Sequence, residues 1–230
     1  MEAIILAGGL GQRLRPRVPG VPKPLAPIRS RPFLEYLLDY LIAEGMLTVT
    51  IAVGYGAAAI REYFREQYRG LAIQYSTETE PLGTGGALKQ ALKMVTSHQV
   101  FVVNGDTFAQ VDYRRMVMEH QRGTAPMAMA VKYLDDISRY GKVNVASGLV
   151  SSFESGGQVG SGYINAGVYL IPRDLLERSD LSAQFSFEKD FLAREVGNIR
   201  PQAVLVDGYF IDIGIPEDYE RAQIELPEWT

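Results

Sequence analysis

A chain of 230 residues that is 47% hydrophobic and 22% charged holds one large domain or two small ones with a sizeable core. Its formal charge of −4 at pH 7 gives no electrostatic footprint for nucleic acid or for an anionic membrane surface. The lack of cysteine excludes disulfides and thiolate metal sites and agrees with a cytoplasmic protein; no run approaches a membrane span, and no signal peptide is expected.

Ala3 to Ala7 is apolar without alternation, the pattern of a strand buried on both faces. It breaks into Gly8, Gly9 and Gly11, followed by Arg13 and Arg15. Prolines at 16, 19, 22, 24 and 27 exclude a regular helix there, and Lys23 stands between two of them. Glycines let several backbone N–H groups turn towards a phosphate, and Arg13 and Lys23 add positive charge beside them. The stretch reads as a triphosphate cradle at the carboxyl end of the first strand. The plainer alternative is a glycine turn and a proline-stiffened surface loop. A Walker loop is absent, and the dinucleotide fingerprint fails because Leu14 stands where its third glycine belongs.

Pro32 to Glu44 is predicted helical, with Leu34, Leu37, Leu38, Leu41 and Ile42 on one stripe and Gly45 as a stop. Thr48 to Val53 is a strand, Ala57 to Tyr68 a helix with Ile60, Tyr63 and Phe64 inward, and Leu71 to Tyr75 a strand. This alternation predicts a parallel sheet with helices on both faces and ligands at the carboxyl ends of its strands. The segment Glu80-Pro-Leu-Gly-Thr-Gly-Gly-Ala87 runs into a helix reaching about Val95 and offers free N–H groups at a positive dipole end. Glu80 is a candidate acceptor for the two adjacent donors of guanine, or a plain surface glutamate.

Gln99 to Asn104 is a buried strand ending in Gly105-Asp106, which puts a carboxylate at the same crevice. Magnesium takes one or two carboxylates plus phosphate oxygens, so Asp106 is a candidate ligand, with a turn aspartate as the alternative. Asp112 reads as a helix N-cap. Strands follow at Thr124–Tyr133, Lys142–Ala146, Leu149–Ser155 and Ile164–Ile171, with a glycine- and serine-rich mobile loop at 155–162. Helices are expected from Pro172 to Arg178 and from Phe185, where Phe187, Phe191 and Leu192 are core and the Ser186–Lys189 spacing is too loose for a capping box. Strands at Ala203–Val206 and Tyr209–Ile213 surround the turn Asp207-Gly208. Asp212 lies in an apolar run, where a carboxylate needs a cation or hydrogen bonds; it is the second candidate metal ligand. Glu217, Asp218, Glu220 and Glu225 read as the solvent face of a closing helix, and His98 and His120 as surface residues.

The string LAGGLGQRLRP followed by PKPLAPI, and then EPLGTGGAL, NGD, NAGVY, FSFEKDF and FIDIGIPEDY, resembles the signature of the sugar-1-phosphate nucleotidyltransferases over nearly the whole chain. The resemblance implies an α/β fold: a three-layer α/β/α Rossmann-like sandwich with a mixed, mostly parallel sheet and a sugar-binding β subregion. It implies one domain over 1–230, with 1–112 mainly nucleotide-binding and 113–225 mainly sugar-binding and carrying the second metal ligand. The implied reaction is Mg²⁺-dependent transfer from a nucleoside triphosphate, GTP being expected, to a sugar 1-phosphate, a heptose being expected, for surface-glycan assembly. Mannose, glucose or amino sugars, and UTP or dTTP, stay open. No nucleic acid or membrane partner is implied, and the state is monomer or homodimer.

By resemblance, Arg13 and Lys23 act on the phosphates. Leu6, Ala7, Gly8, Gly9, Gly11, Glu80, Gly83, Thr84 and Gly85 meet the nucleotide. Asn104, Gly141, Glu154, Asn165, Glu188 and Lys189 meet the sugar, and Asp106 and Asp212 hold the metal. One departure matters. Many relatives carry Glu-Lys where this chain has Glu154-Ser155, and serine cannot supply a charge to the sugar phosphate; Lys142 or Lys189 are the substitutes. A non-catalytic nucleotide-sugar sensor on the same fold is the rival reading, and the presence of Arg13, Lys23, Asp106 and Asp212 argues against it.

Overall fold

The computed structural model describes residues 1–9, 11–154, 156, 159–177 and 180–228. The first half contains β1 (Glu2–Leu6), β2 (Pro27–Ile28), β3 (Arg31–Pro32), α1 (Phe33–Ala43), β4 (Thr48–Val53), α2 (Ala57–Phe64), β5 (Gln67–Tyr68), β6 (Leu71–Thr77) and α3 (Gly83–Ala91). Then come β7 (Gln99–Asn104), β8 (Thr107–Ala109), α4 (Tyr113–Arg122), β9 (Ala128–Leu134), β10 (Lys142–Ala146), β11 (Leu149–Glu154) and β12 (Gly162–Pro172). A π-helical turn, Phe187–Leu192, runs into α5 (Ala193–Ile199), and β13 (Gln202–Leu205), β14 (Phe210–Asp212) and α6 (Pro216–Glu225) close the chain.

Ten strands form one sheet in the order β10-β11-β13-β9-β12-β7-β1-β4-β6-β5. The run β7-β1-β4-β6 is parallel throughout. β12 runs antiparallel to both β7 and β9, while β10 pairs with β11 and returns to β12, so the second half of the sheet curls back on itself. The mixed α/β sandwich is the fold expected, but it is less parallel than expected: among the described residues four of the sheet's pairings are parallel, three of them in the first half of the chain, and six are antiparallel.

The period of two along each strand sorts side chains to opposite faces. Ala3 and Ile5 of β1, Val49 and Ile51 of β4 and Phe101 and Val103 of β7 meet Leu34, Leu38, Ile60, Phe64 and Met116 of α1, α2 and α4. Ile4, Ala52, Val100 and Val102 point the other way, to Leu88, Ala91, Phe187, Phe191 and Val196. A third, smaller cluster joins Leu14, Ile28, Phe33, Phe108, Ile211, Ile213 and Ala222 under the cradle.

Several expectations need correction. α2 ends at Phe64 because Arg65 adopts φ 54°, and Tyr63 is 51% exposed, its hydroxyl donating to Glu35. No helix forms at 173–177, where the chain makes turns; Arg178 lies outside the described residues. So do residues 155, 157 and 158 of the expected mobile loop. The glycine-rich segment is not a turn before α3 but its first turn. Ser186 is a true cap: its Oγ accepts from Lys189 N and its own N–H donates to Asp190. The reciprocal partner sits four residues on rather than three because the π turn is wider than an α turn. His120 is buried, 6% exposed, as is Asp218. Asp112 caps α4 as expected, accepting from Arg115 N.

Candidate active site

The cradle begins where β1 ends between β4 and β7. Ala7 N–H donates to Ala52 O, and Gly105 N–H donates to Leu6 O, so three strand ends are tied together at one level. Side chains are excluded from this crossing. A Cβ on Gly8 would lie 2.4 Å from Glu78 Oε1, and one on Gly105 would lie 2.8 Å from Leu6 O. Gly11 takes φ 57°, its carbonyl accepts from Leu14 N and Arg15 N, and buried Leu14 anchors the loop. The prolines then bring Lys23 back: it opens a 3₁₀ turn at Lys23–Leu25 beside Gly11. The loop is docked from outside by Pro22 against Gly56, Arg15 over the Tyr55 ring and Arg17 on Glu220.

Asp106 follows β7 directly, and β14 pairs antiparallel with β8 so that Asp212 lies opposite Thr107. Two acids far apart in sequence thereby converge. Lys23 Nζ stands 2.5 Å from Asp106 Oδ2 and 3.9 Å from Asp212 Oδ1. Asp212 Oδ1 also accepts from Gly214 N–H at 2.7 Å, and exposed Arg13 reaches the same Gly214. Burial pushes the Asp212 carboxyl up to about 6, and the neighbouring Asp106 charge adds to this against the pull of Lys23, the Gly214 N–H and Arg13. Asp106 and Asp212 therefore form a seat for a cation, and the ammonium of the chain's own Lys23 stands in it. Among the described residues no group of three or more His, Cys, Asp or Glu side chains converges as a metal cage. Two carboxylates are too few ligands for a closed structural metal site.

Beside this seat lies a cavity of about 590 Å³. Of the residues predicted to meet a nucleotide, Leu6, Ala7, Gly8, Gly9, Glu80, Gly83 and Thr84 line it, together with Lys23, Asn104 and Asp106. Gly11 and Gly85 are not on its wall. Gly85 N–H donates to Phe185 O, and a Cβ there would lie 2.1 Å from the Phe185 ring; in this fold it is a packing glycine.

Glu78, which the sequence reading passed over, sits deeper than Glu80. It is half-buried against Gly8 and Gly54, its Oε2 accepts from Leu82 N–H at 2.9 Å, and it lines the cavity. Glu80 is exposed. The signal was positional: β6 runs two residues past the expected end at Tyr75, and Glu78 is the first residue after it.

The predicted sugar residues fall into two groups outside the cavity wall, apart from Asn104. In one, Thr84 Oγ donates to Glu188 at 3.0 Å, the buried Tyr169 hydroxyl donates to Glu188 at 3.4 Å, and Asn165 Nδ2 donates to that hydroxyl at 2.5 Å. This chain of bonds links α3 to β12. β12 bulges at Gly167, φ 72°, against Asn104, whose Oδ1 is buried without a hydrogen-bond partner among the described residues. In the other, Glu154 accepts from Asn144 Nδ2 at 2.5 Å and meets Lys142 at 3.7 Å, with Gly141 close to the Glu154 carbonyl. Lys189 is exposed.

The chain matches the nucleotidyl transferase family over residues 2–228. It is 44% identical over 229 residues to a D-glycero-alpha-D-manno-heptose 1-phosphate guanylyltransferase of Aneurinibacillus thermoaerophilus, covering 100% of both chains. It is 44% identical to the enzyme of that name from Campylobacter jejuni, covering 95% of this chain and 97% of the other. HddC from Yersinia pseudotuberculosis, solved in complex with GMP-PN, matches with a TM-score of 0.86 and 35% identity over 96% of this chain and 97% of that one. With identity of that order along the full length and the same architecture in a solved relative, this chain belongs to the nucleotidyl transferase family.

Proposed function

We propose that the protein transfers a guanylyl group from GTP to D-glycero-α-D-manno-heptose 1-phosphate, releasing pyrophosphate and giving an activated heptose for surface-glycan assembly in the cytoplasm. The observation that carries the chemistry is the convergence of Lys23, Asp106 and Asp212 at the rim of a glycine-walled cavity. The choice of base and sugar follows the two full-length relatives named above.

A sugar phosphate oxygen is already an anion near neutral pH, so in-line attack on the α-phosphorus needs no general base. The obstacle is repulsion between two anions, roughly 4 kcal/mol at about 4 Å in a surface-like dielectric. Lys23 and Arg13 offset charge on the α-phosphate and the departing pyrophosphate. Amides at Gly8 and Gly9 orient the triphosphate. Magnesium, held by Asp106 and Asp212, would supply neutralisation and alignment of the phosphates. Guanine presents N1–H and N2–H donors to a carboxylate; Glu78 is the deeper acceptor, with Glu80 at the rim. Asn104 offers its unpartnered Oδ1 to a sugar hydroxyl, and Glu188 and Asn165 stand behind it. Lys142, beside Glu154, is better placed than exposed Lys189 for the sugar phosphate.

The test is pyrophosphate release over a grid of nucleoside triphosphates and sugar 1-phosphates, with and without EDTA. GTP with the heptose 1-phosphate should give the highest kcat/KM, abolished by EDTA. A higher value for another pair replaces the substrate assignment, and release with none of them favours a sensor.

A further inference from the structure

The closing helix carries a carboxylate that is not on its solvent face. Asp218, in the first turn of α6, is 4% exposed. Its Oδ2 accepts from Arg139 Nη2 at 2.7 Å and its Oδ1 from Arg221 Nη1 at 3.0 Å. Arg221 is a neighbour on the same helix. Arg139 belongs to the connection between β9 and β10. Without Arg139 the buried carboxylate would be compensated by Arg221 alone, so this pair restricts where that connection sits.

Both ends of the pair lead to the site. Arg139 Nη2 also donates to the Tyr140 hydroxyl at 3.2 Å, and the guanidinium stands 5.4 Å from that ring's centroid. The Tyr140 ring meets the Phe210 ring edge-on at 6.2 Å, and Phe210 opens the strand that ends in Asp212. Asp212 is close enough to act electrostatically on both Arg139 and Tyr140. Gly141 comes next in the chain, and Lys142 after it starts β10 and pairs with Glu154 of β11.

We propose that Arg139 is a positioning residue. Its ion pair with Asp218 locks the β9–β10 connection, and with it Gly141 and the Lys142–Glu154 pair, against the strand bearing Asp212. The inference rests on reading that region as the sugar side of the site. It separates two functions: the nucleotide cavity is lined by neither Arg139, Tyr140, Gly141 nor Asp218, so loosening the pair displaces the sugar phosphate and leaves the nucleotide in place.

The test compares Arg139→Met, Arg139→Lys and the double variant Arg139→Met/Asp218→Leu, which removes both charges together so that no buried carboxylate is stranded. Steady-state kinetics with GTP and the heptose 1-phosphate should show the sugar KM raised about tenfold or more in both Met variants, with the GTP KM within about twofold. Arg139→Lys should recover part of the loss. Amide hydrogen exchange on the intact protein should quicken at 137–143 and 210–214 and stay unchanged in β1 and β4. An unchanged sugar KM in the double variant, or an equal rise in both KM values, overturns the proposal. If the wild type turns over no sugar phosphate, the substrate reading fails instead, and the exchange pattern alone decides whether the pair joins the two segments.

Discussion

Lys23 does two things that pull in different directions. Its ammonium stands against Asp106 and Asp212, and in the proposed reaction it is needed at the phosphates. A divalent cation entering the seat alone must displace it, whereas one arriving with a triphosphate gives the lysine a new partner. Lys23→Met should therefore bind Mg²⁺ more tightly than the wild type without nucleotide, by about tenfold or ~1.4 kcal/mol, while losing turnover. Calorimetric titration checks this, and weaker or equal binding would mean that lysine and metal occupy separate places.

Asp212 shows the cost of such a seat. Its folded-state pKa of about 6 lies above the ordinary aspartate value of 3.8. The folded protein thus holds that proton more tightly than the unfolded chain, and the group's contribution to stability falls as pH rises from about 4 to about 6 and stays low above. Asp212→Asn does not titrate. Thermal melts should place it a few degrees above the wild type at pH 7, with the gap closing towards pH 4, while kcat falls roughly a hundredfold or more. A variant that is less stable at pH 7 contradicts the assignment of the strain. At the base, Glu78→Gln should lower kcat/KM for GTP roughly ten- to a hundredfold and Glu80→Gln far less; the reverse order restores Glu80 as the reader.

Among the elements, those with a clear period were legible. β4, β7 and β10 match their predicted limits, because each is a short valine-bearing run closed by a glycine or a Ser-Gly turn. α1 differs by one residue at each end. The failures share a cause. The π turn at Phe187–Leu192 has no period of its own, and its cap reaches Asp190 instead of Lys189's position, so the Ser186 signal was discounted. Ser186→Ala should cost about 1 kcal/mol in denaturant unfolding; a change near zero would show that the wide turn is held by Phe187 and Phe191 alone. Asp218 reads as a solvent charge in the sequence because its partner Arg139 lies in a distant connection that no helical pattern reveals. Lys132 is similar: it donates to the carbonyls of Val206, Asp207 and Gly208, fixing the approach to β14, and nothing local announces it.

The two halves of the chain share one sheet and the core cluster on each of its faces. The cluster that holds Ala3 and Ile51 also holds Ala128, Val168 and Val206, so neither half has a core to itself. Calorimetry should give one transition whose van't Hoff and calorimetric enthalpies agree; two resolved transitions would make the halves separate domains. Cradle, cavity and first acid were legible because strand ends organise them and strands leave a strong pattern. The sugar side was less so, since β12 doubles back across the sheet and its bulge at Gly167 is set by packing against Asn104.

The three-residue ladder of β8 with β14 joins positions about a hundred residues apart, and it is the last part of the site to be made. A ribosome that has released the glycine loop, the base pocket and Asp106 has still to translate Asp212. No nascent chain that stops short of β14 carries both acids, so competence for the proposed transfer arrives in a single late event, and a truncated product left by a stalled ribosome holds no assembled acid pair.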